Sequence, residues 1–470
     1  MAKQTKWALL AVSAVILCWL AAFAIWQGAA RTIGTGELVL FGLVVPFAAG
    51  LVVWLIGKKL NAVDTPAASP SEPPAPAPVI RQPAQPTSAR THILDGALLC
   101  RGGQHVDELR AYLAEHLMPE LDPELINDEG FPIRSYRIAE LSVDAPDEAV
   151  SSQQQRMQAL LNTVLASLQD SMAELFTQGA NTPAHSQANA HNAAQMHPGW
   201  HGGQTTSEPS VTPSADTSPV HIAFRLYLDH ANYFLADELT ASLRKWLRQW
   251  PQGDSYPVEC IECGHAGSLP SDLNHITQRL HASPATQAVI ALACHSDIDQ
   301  QIISQWQQKG WLATTPNGKV PGEVAAGLIL SNQSPLPDKG TLDTILTVPR
   351  TKPANAGGRI QSKELTQLLQ QTAPEAANAF QAAQHLLVDA ETISPAAAEL
   401  GQWWLESFPD CDDAQLLRLG SCWGQCGPAG QLALLVAAME LATSDNASQL
   451  VVMAADPIYR SMCQIRPANA

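Results

Sequence analysis

The sequence predicts an α/β fold carried behind a membrane anchor. Two observations lead there. Residues 7–26 and residues 38–57 contain no charged side chain. From Val220 onward, short β-type runs alternate with helical apolar patterns, and one run, 288–294 (AVIALAC), is continuously apolar. Alternation of this kind builds sheets with helices on their faces, and a continuous apolar run suits a strand buried on both sides.

The anchor comes first. At 1.5 Å per residue, each uncharged stretch crosses about 30 Å of hydrocarbon as a helix. Lys3 and Lys6 precede the first stretch, and Lys58 and Lys59 follow the second. The loop between them holds one cation, Arg31, and one anion, Glu37. Cationic span ends stay on the cytoplasmic side. The expectation is a two-helix transmembrane hairpin, residues 1–60, with the large C-terminal domain cytoplasmic. A cleaved signal peptide would have a shorter apolar region and a small-residue cleavage site. Here Trp7, Trp19 and Trp26 mark the first stretch and a second follows. Pro46 is tolerable, since membrane helices accommodate proline.

Composition narrows the partners. The 470-residue chain has a formal net charge of −17. That balance argues against nucleic acid, which needs clustered cations, and against broad adhesion to anionic lipid. Nine cysteines at irregular spacing make a poor disulfide framework, and in a cytoplasmic domain they stay reduced. Residues 61–91 form a Pro-rich linker, with eight prolines between Pro66 and Pro86. Such a segment favours extended polyproline II and acts as a spacer.

The soluble region divides into four parts. Residues 92–178 begin with an apolar stretch, 92–100, then a helical pattern at Val106, Leu109, Leu113 and Leu117. Residues 153–176 read as one long helix, with Met157, Leu160, Leu161, Val164, Leu168, Met172, Leu175 and Phe176 on a core-facing stripe. Residues 179–219 are an insert rich in Asn, Gln, His and Ser. Its composition predicts disorder, and His185, His191, His197 and His201 predict only adventitious metal contact.

Residues 220–338 read as a first α/β half. It holds strands at 220–228, 288–294 and 325–331, and helices at 235–250, 271–280 and around Ile298, Ile302, Ile303 and Trp306. Residues 339–470 read as a second half. Here the strand 342–348 leads to helices at 363–369, 396–408 and 430–443, and 449–455 reads as the final buried strand.

Two local patterns carry a resemblance. The first is Val320-Pro321-Gly322-Glu323-Val324-Ala325-Ala326-Gly327-Leu328-Ile329-Leu330. It resembles a strand in the first half of ketoacyl synthases and other thiolase-like proteins, whose small residues let a helix come close. The second is Leu419-Gly420-Ser421-Cys422-Trp423-Gly424-Gln425-Cys426-Gly427-Pro428-Ala429-Gly430, followed by an apolar helix and a strand. That order resembles the second half of the same fold. The resemblance implies a thiolase-like layered α/β/α domain. It also implies catalytic histidines that this chain lacks: Gln425 stands at one, and no His-Gly-Thr-Gly-Thr motif occurs. An amide cannot shuttle protons near neutral pH.

The whole layout resembles membrane-anchored type VI secretion lipase adapters of proteobacteria. That resemblance implies a non-enzymatic adapter at the inner membrane. It would bind a phospholipase-type effector in the cytoplasm and help load it on the secretion spike. No catalytic, cofactor or metal residue is assigned by it. The alternative is a thiolase-like acyl-transfer enzyme using Cys263 or Cys260, the thiols nearest the expected nucleophile position.

Two constellations remain. Cys260-x-x-Cys263 with Cys422-x-x-x-Cys426 could supply four thiolates for zinc only if two distant loops met. Isolated thiols are the expectation, as for Cys294, Cys411 and Cys463. Asp229 and His230 end the first strand of the 220–338 half, where α/β folds place ligands; a lone pair there is usually solvated.

Overall fold

A computed structural model describes residues 90–115, 118–143, 150–180, 220–313, 318–350, 353, 362–375, 380, 384–391 and 394–468. Both expected membrane spans, the Pro-rich linker up to residue 89 and nearly all of the 179–219 insert lie outside these residues, and the expected linker end at 91 is corrected because Thr91 already begins a strand. Among the described residues no helix is long and apolar enough to cross a membrane.

The first elements are β1 (Thr91–Cys100), α1 (Val106–Glu115), the hairpin β2 (Glu120–Ile126) and β3 (Pro132–Ser135), α2 (Ser152–Ser167) and α3 (Gln169–Ala180). Next come β4 (His221–Asp229), α4 (Ala236–Leu247), β5 (Val258–Cys263), α5 (Ser268–Ala282), β6 (Gln287–Ser296), α6 (Gln300–Gln308) and β7 (Glu323–Ser331). The last are β8 (Gly340–Leu342), β9 (Leu346–Pro349), α7 (Lys363–Thr372), β10 (Leu386–Val388), α8 (Pro395–Ser407), β11 (Leu416–Arg418), α9 (Gly420–Trp423), α10 (Gly427–Ser444), β12 (Gln449–Met453) and β13 (Tyr459–Arg466).

One sheet runs β11-β10-β12-β13-β8-β1-β7-β6-β4-β5, and β9 pairs with β13. Its ends are parallel: β4 with β5 and β6, and β10 with β11 and β12. Antiparallel strands join these two groups. The apolar stretch at 92–100 is β1, a central strand between β7 and β8.

One face of the sheet packs on α5 and α10. The other is covered by α2, α3 and α4 over β4, β6, β7 and β1, and by α7 and α8 over β10 and β12. The architecture is α/β with helices on both faces. The helix α10 is apolar all round, which is tolerable only in the interior; Leu432, Leu434, Leu435 and Leu441 are 0% exposed. Burying each is worth about 1.5–3 kcal/mol. The small residues of β7 allow a close approach on the other face: a Cβ at Gly327 would stand 2.6 Å from Leu168 Cδ1.

Three expected elements are corrected. The 153–176 helix breaks at Leu168, which caps α2 with φ −90° and ψ 0°. The 342–348 strand is two strands, because Ile345 N–H donates to Asn274 Oδ1 at 2.8 Å instead of joining a ladder. The 449–455 strand is not the last: β13 follows, its apolar signal masked by Arg460, Ser461 and Gln464, all buried.

Candidate active site

The carboxyl ends of β4, β5, β10 and β12 converge on the N-terminal ends of α5 and α10. Open α/β sheets leave their crevice at such an edge. A cavity of about 540 Å³ lies there. Its walls are the turns after β4, between β5 and α5, after β10, between α9 and α10, and after β12. The α9–α10 turn is sharp because Gly424 takes φ +78°, a left-handed conformation that glycine adopts at little cost. The start of β7 abuts it: a Cβ at Gly322 would lie 1.9 Å from the Trp423 carbonyl oxygen.

Glu391 stands in the loop after β10 and is 4% exposed. Burial pushes its carboxyl up to about 7, against the opposing pull of Tyr136 and Lys319. The Tyr136 hydroxyl donates to Glu391 Oε2 at 3.5 Å. Tyr136 is itself buried, so its hydroxyl is pushed up and keeps its proton. The Lys319 ammonium lies 5.6 Å from the Trp306 ring centre and 5.4 Å from that of Trp311.

Asp229 ends β4 on the same cavity. Burial alone would raise its carboxyl, but His295 and the Asn232 hydrogen bonds more than offset this and hold it below the usual range. Asn232 N–H donates to Asp229 Oδ1 at 3.2 Å. His295 is enclosed behind it, with Nδ1 3.5 Å from Asp229 Oδ2 and Nε2 2.8 Å from Asp297 Oδ2. Burial pushes His295 down, yet the two carboxylates outweigh it and bring the ring to about 10. The His295 ring therefore backs Asp229, and Asn232 Nδ2 also lies 3.0 Å from its Nδ1. Two carboxyl groups on one cavity are thus pushed in opposite directions, the pattern that separates an acid from a base.

His265 precedes α5. It stacks on Tyr459 with ring centres 4.6 Å apart, and its Nδ1 accepts from Gly267 N–H at 3.1 Å. Gln431 of α10 ties that turn down, donating from Nε2 to the Ala266 carbonyl at 2.9 Å. Gln425 is half-buried on the cavity wall. His230, beside Asp229 at the cavity rim, is largely exposed and pairs with Glu262, which raises its pKa.

The thiols are not poised for attack. Cys263 lines the cavity, but burial and the nearby Asp272 and Asp229 push it up to about 12. Cys260 packs on the opposite face of β5, because residues three apart on a strand point to opposite sides. The expectation of Cys260 as a nucleophile in this site is therefore corrected. Cys422 is hydrogen-bonded to Cys100, and Cys426 donates to the Trp423 carbonyl at 2.9 Å. The four thiols of the two spacings do not meet, and among the described residues no group of three metal-ligating side chains is placed to hold an ion.

Sequence reasoning missed Glu391, Tyr136 and His295. The available signal for the first was the acidic pair Asp389 and Glu391 directly after the apolar run 386–388.

No protein-family model and no curated protein sequence matches the chain. Solved structures do. One is the ketosynthase ApeO in complex with its chain length factor ApeC from Xenorhabdus doucetiae, at 11% identity and a TM-score of 0.49, covering 81% of this chain and 98% of that one. A second holds a type II polyketide acyl-carrier protein with its hexaketide-bound ketosynthase, at 10% identity and TM-score 0.48, covering 81% and 100%. A third is a single-residue variant of OleA from Xanthomonas campestris, at 11% identity and TM-score 0.39, covering 80% and 96%. Likeness at this level assigns no activity.

The expectation that the chain is not an enzyme is corrected all the same. It rested on Gln425, on the missing His-Gly-Thr-Gly-Thr motif and on the adapter resemblance. The cavity carries a buried carboxyl of its own, Glu391, pushed up to about 7 by burial, so an amide at 425 does not exclude proton transfer there.

Proposed function

We propose that the chain is an enzyme of acyl-group chemistry that moves a proton on a carbonyl-bearing substrate in this cavity. The observation that supports it is the divergence of Glu391 and Asp229 on one set of walls. A carboxyl near 7 is matched to proton transfer at neutral pH. In this reading Glu391 donates its proton toward the substrate carbonyl oxygen. Asp229, ionised and backed by His295, accepts the proton from the carbon beside that carbonyl. The N-terminal ends of α5 and α10 favour the negative charge that develops on oxygen.

This reading replaces acyl transfer onto a thiol. Cys263 is held protonated by burial and by an acidic neighbourhood, and a thiol attacks only as its thiolate.

The test is hydrogen exchange at carbon. The full chain is incubated in D2O with a β-ketoacyl thioester of N-acetylcysteamine, and deuterium entry beside the carbonyl is followed by NMR. Exchange above buffer that falls roughly 100-fold or more in Glu391→Gln supports the reading. Exchange no faster than buffer, or equal in the variant, overturns it.

A further inference from the structure

We propose that the β2–β3 hairpin is a docking surface for a basic, apolar segment of a partner protein. Eight large apolar side chains are exposed among the described residues, and four of them fall on this hairpin and its lead-in: Met118, Leu121, Ile126 and Phe131, at 48%, 61%, 43% and 62%. Underneath, Leu125 and Ile133 pack with Ile298, Ile303 and Leu312 in a small cluster of their own. The hairpin therefore holds itself with its inner side chains, and the outer ones have no core to serve. Isolated exposed apolar residues need no explanation, but a concentration of them does.

The surface is prearranged. Asn127 Oδ1 accepts from the N–H groups of Glu129 at 3.1 Å and Phe131 at 2.8 Å. Asn127 N–H donates to the Phe131 carbonyl at 2.9 Å. Gln300 of α6 pins the Ile126 backbone from both sides, at 3.0 and 2.8 Å. A surface already fixed loses little freedom when it is covered.

Charge selects the occupant. The cations around the hairpin are committed: Arg101 to Glu120, Arg137 to Asp122 and Glu124, and Arg134 to the Pro119 carbonyl. Asp128 and Glu129, at the tip between Ile126 and Phe131, make no ion pair among the described residues. Two carboxylates with no ion pair among the described residues, flanked by apolar side chains, fit a segment that sets Lys or Arg among apolar residues. They disfavour an anionic lipid surface. A second copy docking by the same patch would set like charges together.

The experiment places a photo-crosslinking benzoylphenylalanine at Leu121 or at Phe131 of the full chain, in the cells that make it. Leu405, 66% exposed on α8, is the control position. The expected result is one discrete protein adduct from 121 and 131 and none from 405. Sequencing of the crosslinked peptide is expected to show Lys or Arg among apolar residues. The pair Asp128→Lys and Glu129→Lys should cut the adduct about tenfold, a change of about 1.4 kcal/mol, with an unchanged circular dichroism spectrum. A lipid adduct, an adduct of twice the chain's own mass, no adduct, an acidic crosslinked peptide, or an adduct indifferent to charge reversal overturns the proposal.

Discussion

Arg156 of α2 grips Glu323 of β7 with two nitrogens: Nε donates to Oε2 at 2.8 Å, and Nη2 donates to Oε1. Glu323 is 0% exposed and also accepts from Ile138 N–H at 2.6 Å and from Ser296 Oγ at 3.1 Å. Ser296 follows His295, so this pair fixes the strand end that backs Asp229.

Removing one partner leaves the other charge buried alone. Arg156→Met or Glu323→Gln is expected to lower stability by about 3–5 kcal/mol, measured by urea unfolding. The double variant Arg156→Met with Glu323→Leu should recover most of that loss. An additive loss in the double variant would show that the two residues act independently.

The proposed proton transfer has a signed pH dependence. Glu391 carries its proton below about 7. Asp229, held low by His295, stays ionised through the same range. The exchange rate should therefore be flat on the acid side of 7 and fall about tenfold per pH unit above it. A rate that rises through that range would contradict Glu391 as the acid.

Asp389 gives a stability prediction. Burial pushes its carboxyl from 3.8 up to about 6, although Ala454 N–H, Ala455 N–H and Arg460 pull the other way. A raised acid stabilises the fold while both states are protonated, below 3.8. That contribution is lost as pH rises through about 6. The loss is about 3 kcal/mol at 1.36 kcal/mol per unit. Asp389→Asn keeps the acceptor oxygen for Ala454 and Ala455 and removes the charge. The variant should be more stable than the natural chain at pH 8 and equal to it near pH 3.5, read as thermal midpoints.

Thiol labelling separates the two enzyme readings. With Cys263 near 12, about one part in ten thousand is thiolate at pH 8. Iodoacetamide should leave it unmodified in the folded chain over hours. Fast labelling at Cys263 would favour a thiol mechanism instead.

The membrane expectation rests on residues 1–60 and stays a proposal. A reporter fused at the C-terminus is expected to read as cytoplasmic. Moving Lys58 and Lys59 into the 27–37 loop should shift it. A periplasmic signal from the natural chain would refute the placement.

The alternation of elements was legible from Val220 onward because buried strands and apolar helices leave long periodic runs. The short strands β10 and β11, three residues each, leave none. In β5, Glu259 and Glu262 interrupt the apolar residues of an edge strand, so its signal read as a thiol spacing. The site was less legible still. Asp229 was found by its place at a strand end; Glu391 and His295 were not, since their roles come from what is packed on them.

By itself, the sequence determined that helices alternate with buried strands, that α10 belongs inside, and that the α/β region follows two uncharged stretches and a Pro-rich stretch. Those are properties of composition and period, which a linear chain carries locally. Tertiary structure alone decided that Glu391 meets Tyr136 across 255 positions, that His295 backs Asp229, and that Cys260 and Cys263 face apart. The strength of an acid depends on desolvation and on neighbouring charge, and both are set by groups far away in the chain.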